Sequence, residues 1–365
     1  MLTLDKIYHA SYVLKDVARK TDVLYAPKIN PDANVYLKTE NLQNTGSFKL
    51  RGAYYKISSL SDEEKAHGVI ACSAGNHAQG VAFAATKNKI SSVICLPDGA
   101  PISKVEATKG YGAQVVLVPG VYDDAYNKAL ELQKEKGYTF IHPFDDEDVI
   151  AGQGTIGLEI LSQLPQTDAV VVPVGGGGLI SGIAFAIKSL NPKIKVYGVQ
   201  AEGAASMVES LKEEEIVQLE RVNTIADGIK VKEPGNHTFD LCKKYVDEIV
   251  TVSDDEVAGA ILSLIENQKL ITEGAGAVSV AAVMFNKLPI VNSWLLQKTL
   301  PQPGLKRKRR TMWSGFASSG KKASMPCTSR LRRQISVPSR WRSRPRWALQ
   351  VRRLLVRWEQ MVPVT

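Results

Sequence analysis

The sequence predicts an α/β protein built on two open, twisted, parallel sheets with flanking helices. Two observations carry this. Short apolar, β-branched runs alternate with helical stretches at the spacing of βαβ units. The alternation comes in two separate runs, and each contains a small-residue loop set between a buried strand and a helix.

Taken in order, residues 3–20 place Leu4, Ile7, Val13, Leu14 and Val17 at rough helical spacing. Val35 to Lys38 reads as a short strand leading to the turn Thr45-Gly46-Ser47-Phe48-Lys49-Leu50-Arg51-Gly52, and a helix is expected over 52–60. The first regular run has strands at 69–72, 92–97, 114–118 and 138–141, with helices from about Ala78, from about Pro101 and through Ala129 and Leu132. The second run opens with a helix over 149–164 that contains Gly152, Gly154 and Gly157. Strands follow at 169–174, 195–199 and 248–252, and helices at 179–190, 256–267 and 275–285, with Asp254 or Asp255 as the cap of the 256–267 helix.

Composition divides the chain. Residues 1–290 carry 28 Lys+Arg against 36 Asp+Glu, while residues 291–365 carry 18 Lys+Arg, one acid (Glu359) and all five tryptophans. The overall charge of +9 therefore belongs to the tail, and the first part reads as a mildly acidic globular protein. No run is long and apolar enough for a membrane span, and the N-terminus lacks the apolar segment of a secretion signal. Cys72, Cys95, Cys242 and Cys327 have no C-x-x-C spacing and read as buried free thiols of a reducing, cytoplasmic compartment. The five histidines show no ligand spacing, so no metal site is expected.

Three stretches carry the chemistry. Lys49 stands near a loop-to-helix start, where free N–H groups and the helix dipole favour the neutral amine that carbonyl chemistry needs, although an ordinary lysine packed on Phe48 is the plainer reading. Gly175-Gly176-Gly177-Gly178 joins a buried strand to a helix, so several backbone N–H groups converge on one spot, as a phosphate requires. The loop is neither a Walker loop nor a dinucleotide fingerprint, because no Gly-Lys-Ser/Thr ends it and Ser181 stands where a third glycine would be needed. Ser73-Ala74-Gly75-Asn76-His77 repeats the strand–loop–helix arrangement and suits a carboxylate, with the Asn76 amide available to a phenolic oxygen. An amine nucleophile, a phosphate nest and a carboxylate nest together point to pyridoxal 5′-phosphate acting on an amino acid.

These residues, together with Ile150-Ala151-Gly152-Gln153-Gly154-Thr155, Ile225-Ala226-Asp227-Gly228 and Thr272-Glu273-Gly274-Ala275-Gly276, resemble the threonine dehydratase (threonine ammonia-lyase) family of the catabolic type, over about residues 4–289. The resemblance implies the fold-type II, tryptophan synthase β-like architecture. It divides the chain into a larger cofactor-phosphate domain (1–53 plus 149–290) and a smaller substrate-carboxylate domain (54–148). It implies that Lys49 forms the imine with the cofactor, Phe48 packs at its ring and Asn76 contacts the ring hydroxyl. Gly175, Gly176, Gly177, Gly178 and Leu179 would hold the phosphate, and Ser73, Ala74, Gly75, Asn76 and His77 the substrate carboxylate. The implied activity is deamination of L-threonine to 2-oxobutanoate and ammonia, with L-serine as second substrate, in a homodimer or homotetramer. Serine racemases share these loops, but they carry a second hydroxyl where this chain has Ala74, and cation-site carboxylates that align with Gln200 and Ser206 here.

After Pro289 the family pattern gives one more strand and a Ser-Gly-Gly-Asn loop whose serine meets the pyridine nitrogen. This chain reads Val291-Asn292-Ser293-Trp294 and then Lys306-Arg307-Lys308-Arg309-Arg310. The change reads as a shifted frame or a fusion, giving a disordered basic tail over 291–365. A second class of function follows from it: a catalytically impaired product, or a tail that attaches to nucleic acid or anionic lipid. Neither a specific nucleic acid nor a membrane is expected as a partner.

Overall fold

The computed structural model describes residues 1–289. The expectations for the tail, including the missing strand and the lack of order, lie outside the described residues. Helix α1 (Leu4–Val13) opens the chain, capped by Thr3 Oγ1, which accepts from the Lys6 N–H. It stops earlier than the apolar spacing suggests, because the chain closes i→i+3 turns from Lys15 to Val17 instead. Strands β1 (Val23–Tyr25) and β2 (Tyr36–Lys38) form an antiparallel pair, Val23 opposite Lys38. Helix α2 (Lys49–Ser58) starts three residues before the expected position, so Lys49 is itself the first helical residue. Helix α3 (Asp62–His67) was not expected; Ser61 and Glu64 close a capping box on it.

The first sheet then forms from β3 (Val69–Cys72), β4 (Ser92–Pro97), β5 (Gln114–Val118) and β6 (Thr139–Phe140). Its order is β5-β4-β3-β6, all parallel. The crossovers are α4 (Asn76–Lys87), α5 (Ile102–Gly110) and α6 (Tyr122–Lys136). Helix α7 (Glu147–Gln163) leads to the second sheet, β7 (Ala169–Pro173), β8 (Lys195–Ala201) and β9 (Glu248–Val252), parallel in the order β7-β8-β9. Its helices are α8 (Gly178–Leu190), α9 (Ser206–Glu213), α10 (Asn236–Tyr245), α11 (Asp254–Ser263) and α12 (Gly274–Met284). Helices α9 and α10 were not expected. The cap of α11 is Ser253, not Asp254 or Asp255: its hydroxyl accepts from the Glu256 N–H while the Glu256 carboxylate accepts from Ser253 N–H.

Two features fix the site to this frame. The first is a stack of bare backbones. A Cβ at Gly152 would lie 2.6 Å from Gly52 Cα, and one at Gly182 would lie 2.3 Å from Ile150 O, so α2, α7 and α8 cross in backbone contact. The second is Arg51, 1% exposed, on the first turn of α2. Its Nε and Nη2 donate to Glu40, and its Nη1 and Nη2 to Glu159. Nη2 also donates to the Arg19 carbonyl and Nη1 to Thr155 Oγ1. Burial alone would lower the pKa of the guanidinium, but Glu40 and Glu159 raise it, so the charge is kept.

Cys72 and Cys95 are paired neighbours on β3 and β4, and with Cys242 on α10 they are free and buried. Burial pushes these thiols up, Cys72 and Cys242 to about 12 and Cys95 to about 11. Gln200 and Ser206 are fully buried, with Gln200 Oε1 accepting from the Val208 N–H. No described helix is long and apolar enough to cross a membrane.

Replacing Arg51 by Met leaves Glu40 without its cation and Glu159 with Lys38 alone, and is expected to cost about 3–5 kcal/mol. The measurement is the urea unfolding midpoint. A double variant that also makes Glu40 apolar should recover much of the loss, because Glu159 keeps Lys38 and no charge is then stranded.

Candidate active site

A cavity of about 1050 Å³ runs from the β1–β2 pair and β7 to the start of α2, and Lys49, Asn76, the four glycines, Leu179 and Glu273 all line it. Lys49 projects from the N-terminus of α2, its ammonium nitrogen 5.5 Å from the centre of the Phe48 ring, so the packed stem and the cavity-facing amine coexist. Burial lowers its pKa from the usual 10.5 to about 8, with the Glu273 charge opposing the change. Lys49 is half-buried and lines the cavity, and burial of its amine disfavours the charged form.

The glycine loop sits where β7 feeds α8. Gly177 has φ +97°, a conformation that a side chain rarely tolerates, and Gly178 is the first residue of α8. The N–H groups of that first turn have no partner within the helix, and Gly178 and Leu179 line the cavity. Packing demands these glycines as well. A Cβ at Gly176 would meet the Phe144 ring at 2.5 Å, and one at Gly178 the Phe144 carbonyl at 2.7 Å. The packing of Phe144 thus requires Gly176 and Gly178 to lack side chains, whatever the loop binds.

Phe144 is held over the loop by its neighbours. His142 Nδ1 accepts from the Phe144 and Asp145 N–H groups at 3.3 and 2.7 Å. Asp145 in turn accepts from the N–H groups of Asn236 and Thr238 at the start of α10. Thr238 Oγ1 donates to Gly176 O at 2.6 Å, fixing the loop from behind.

On the other wall, α4 begins at Asn76, two residues before the expected start, with Gly75 as its N-cap. Ser73, Ala74 and Gly75 lie at this helix start, partly exposed, and Ser73 Oγ accepts from the Gly75 N–H. The ring of His77 turns the other way. It is 3% exposed, and its Nε2 meets the Ile141 carbonyl at 2.8 Å. Burial, followed by the Lys49 charge, holds its pKa down to about 3, so the imidazole is neutral. Only the backbone of His77 is available to the loop, a narrower part than the sequence suggests.

Glu273 enters the site without having been singled out for a role. Its Oε1 accepts from Asn76 Nδ2 at 2.7 Å across the cavity. Burial, then Asp227, push its carboxyl up. A second pair links α5 to the 225–228 loop, Lys104 Nζ to Asp227 Oδ2 at 3.0 Å.

The family described as pyridoxal-phosphate dependent enzyme matches residues 14–293. The L-threonine ammonia-lyase of Thermotoga maritima is 54% identical over 292 residues, 80% of this chain and 73% of that protein. Among solved structures, maize serine racemase superposes with a TM-score of 0.77 at 34% identity, covering 80% of this chain and 90% of that one. The processed threonine deaminase isoform 2 of Solanum lycopersicum gives 0.74 at 41% identity, covering 78% and 86%.

An amine with a pKa of about 8 is expected to react with an aldehyde at a rate that rises with pH and flattens above about 8. A surface lysine keeps gaining up to about 10.4. Pyridoxal phosphate trapped on the protein with cyanoborohydride and located by peptide mapping reads this directly. A midpoint above 10 at Lys49 would mean that the cavity does not tune it.

Proposed function

We infer the function from one premise: the chain belongs to the pyridoxal-phosphate dependent enzymes. It is an ammonia-lyase that converts L-threonine to 2-oxobutanoate and ammonia, with L-serine, which gives pyruvate, as a slower substrate. The observation that carries this reading is the sharing of one cavity by a lysine of depressed pKa, a glycine nest at a helix start and the Asn76 wall.

The residues fit the cofactor. The free N–H groups at the α8 start, after Gly177, suit a phosphate, and Phe48 and Asn76 line the same cavity of about 1050 Å³, a volume that suits the ring. When bound there, pyridoxal phosphate supplies an electron sink next to the amino acid's α-carbon. Lys49 is the group that holds the cofactor and then, as a neutral amine, takes the α-proton. The N–H groups at 73–77 hold the substrate carboxylate, orienting the α-hydrogen toward Lys49. The hydroxyl leaves as water, and water consumed on release of ammonia closes the balance. Proton transfer from one face by a single lysine favours elimination. Ala74 offers no hydroxyl for the opposite face, and Gln200 and Ser206 offer no carboxylate, which makes racemisation the less fitting reading.

Incubation with threonine or serine and assay of the oxo acid tests this. Threonine should give 2-oxobutanoate, and Lys49→Ala should lower turnover by about 10²–10⁴-fold or more. Formation of neither oxo acid by protein that demonstrably holds the cofactor would sink the assignment.

A further inference from the structure

Two stretches quoted for the family resemblance, 225–228 and 272–276, have no task in the chemistry above. In the structure they are packed against each other. A Cβ at Gly228 would lie 2.9 Å from Ala275 Cβ and 3.1 Å from Glu273 Oε1, and one at Gly274 would lie 2.8 Å from Ile225 O. The glycines thus let one loop lie flat under the other, and Glu273 is seated directly on Gly228. Glu273 is also the N-cap residue of α12, yet its side chain makes no capping hydrogen bond. It leaves the free N–H groups of its own helix and reaches across the cavity to Asn76.

That choice fixes the Asn76 amide. A carboxylate accepts and does not donate, so it pairs with the NH₂ side of the amide and not with its oxygen. The NH₂ group has two N–H bonds, and Glu273 takes one. Building on the cofactor reading above, we propose that Glu273 is a positioning residue: it holds one N–H of Asn76 and so aims the other at the ring oxygen of the bound cofactor, while the 225–228 loop keeps Glu273 in place. Asn76 touches the cofactor, and Glu273 acts through it.

A double-mutant cycle on cofactor affinity tests this, with free pyridoxal phosphate titrated against the full-length protein and binding followed by absorbance. Glu273→Ala and Asn76→Ala should each weaken binding about tenfold and shift the absorbance maximum of the bound cofactor in the same direction. The double variant should be no weaker than either single one. Glu273→Gln, which still presents an acceptor oxygen, should restore most of the affinity. Multiplied losses in the double variant, or wild-type affinity and spectrum in Glu273→Ala, would overturn the proposal. A Glu273→Ala protein with a lowered melting temperature but an unmoved cofactor spectrum would assign Glu273 a purely structural part and overturn it equally. The outcome is separable from that of the functional reading, because the cycle reads binding whether or not threonine is turned over.

Discussion

The site depends on a buried cation. Arg51 occupies the first turn of the helix that begins at Lys49, and it is tied to Glu40, Glu159 and two further oxygens drawn from three parts of the chain. Each of those elements is thereby fixed with respect to the helix start, and so is the lysine two residues earlier. An arginine suits this place better than a lysine would, since its planar fork meets two carboxylates at once. Burial costs the guanidinium hydration, and the carboxylates offset this only because the geometry is tight. A displacement of α2 would therefore be felt in the Lys49 environment before it is felt in the sheets.

The backbone contacts among α2, α7 and α8 perform the complementary task. With Gly52, Gly152, Gly154 and Gly182 at the crossings, no side chain separates the helices, and α8 brings its N-terminus to the cavity that Lys49 enters. The lysine and the anion cradle thus sit on elements that touch each other, which is what a cofactor with an aldehyde at one end and a phosphate at the other requires.

Much of this was legible in the sequence. The strands of both sheets are apolar runs bounded by turn residues, and their alternation with helices left little choice of fold class. Lys49, Asn76 and the four glycines stand at loop-to-helix boundaries, where residue type and position say the same thing. What was not legible failed for identifiable reasons. Strand β1 is three residues long and gives no period. Helix α3 buries nothing, so no apolar stripe marks it, although its Ser61–Glu64 box was readable. Helices α9 and α10 lie between strands that were themselves recognised, but their buried positions are interrupted by Ser206, Ser210 and Thr238, which blur the period. Phe144 and Glu273 are separated from the residues they serve by long stretches of chain, and no local pattern announces such a contact. The direction of the His77 ring is likewise a tertiary fact: the Ile141 carbonyl decides it.

The three described cysteines give the molecule an internal clock for its own opening. All lie within the packed interior, and their raised pKa values leave almost no thiolate at neutral pH. A thiol reagent therefore finds nothing to attack on them until the surrounding structure separates. Cys72 and Cys95 sit in the first sheet, while Cys242 packs beneath α8 beside Ser181, in the other half. Labelling of the first pair and of Cys242 would thus time the opening of the two halves independently, without any probe having to be introduced.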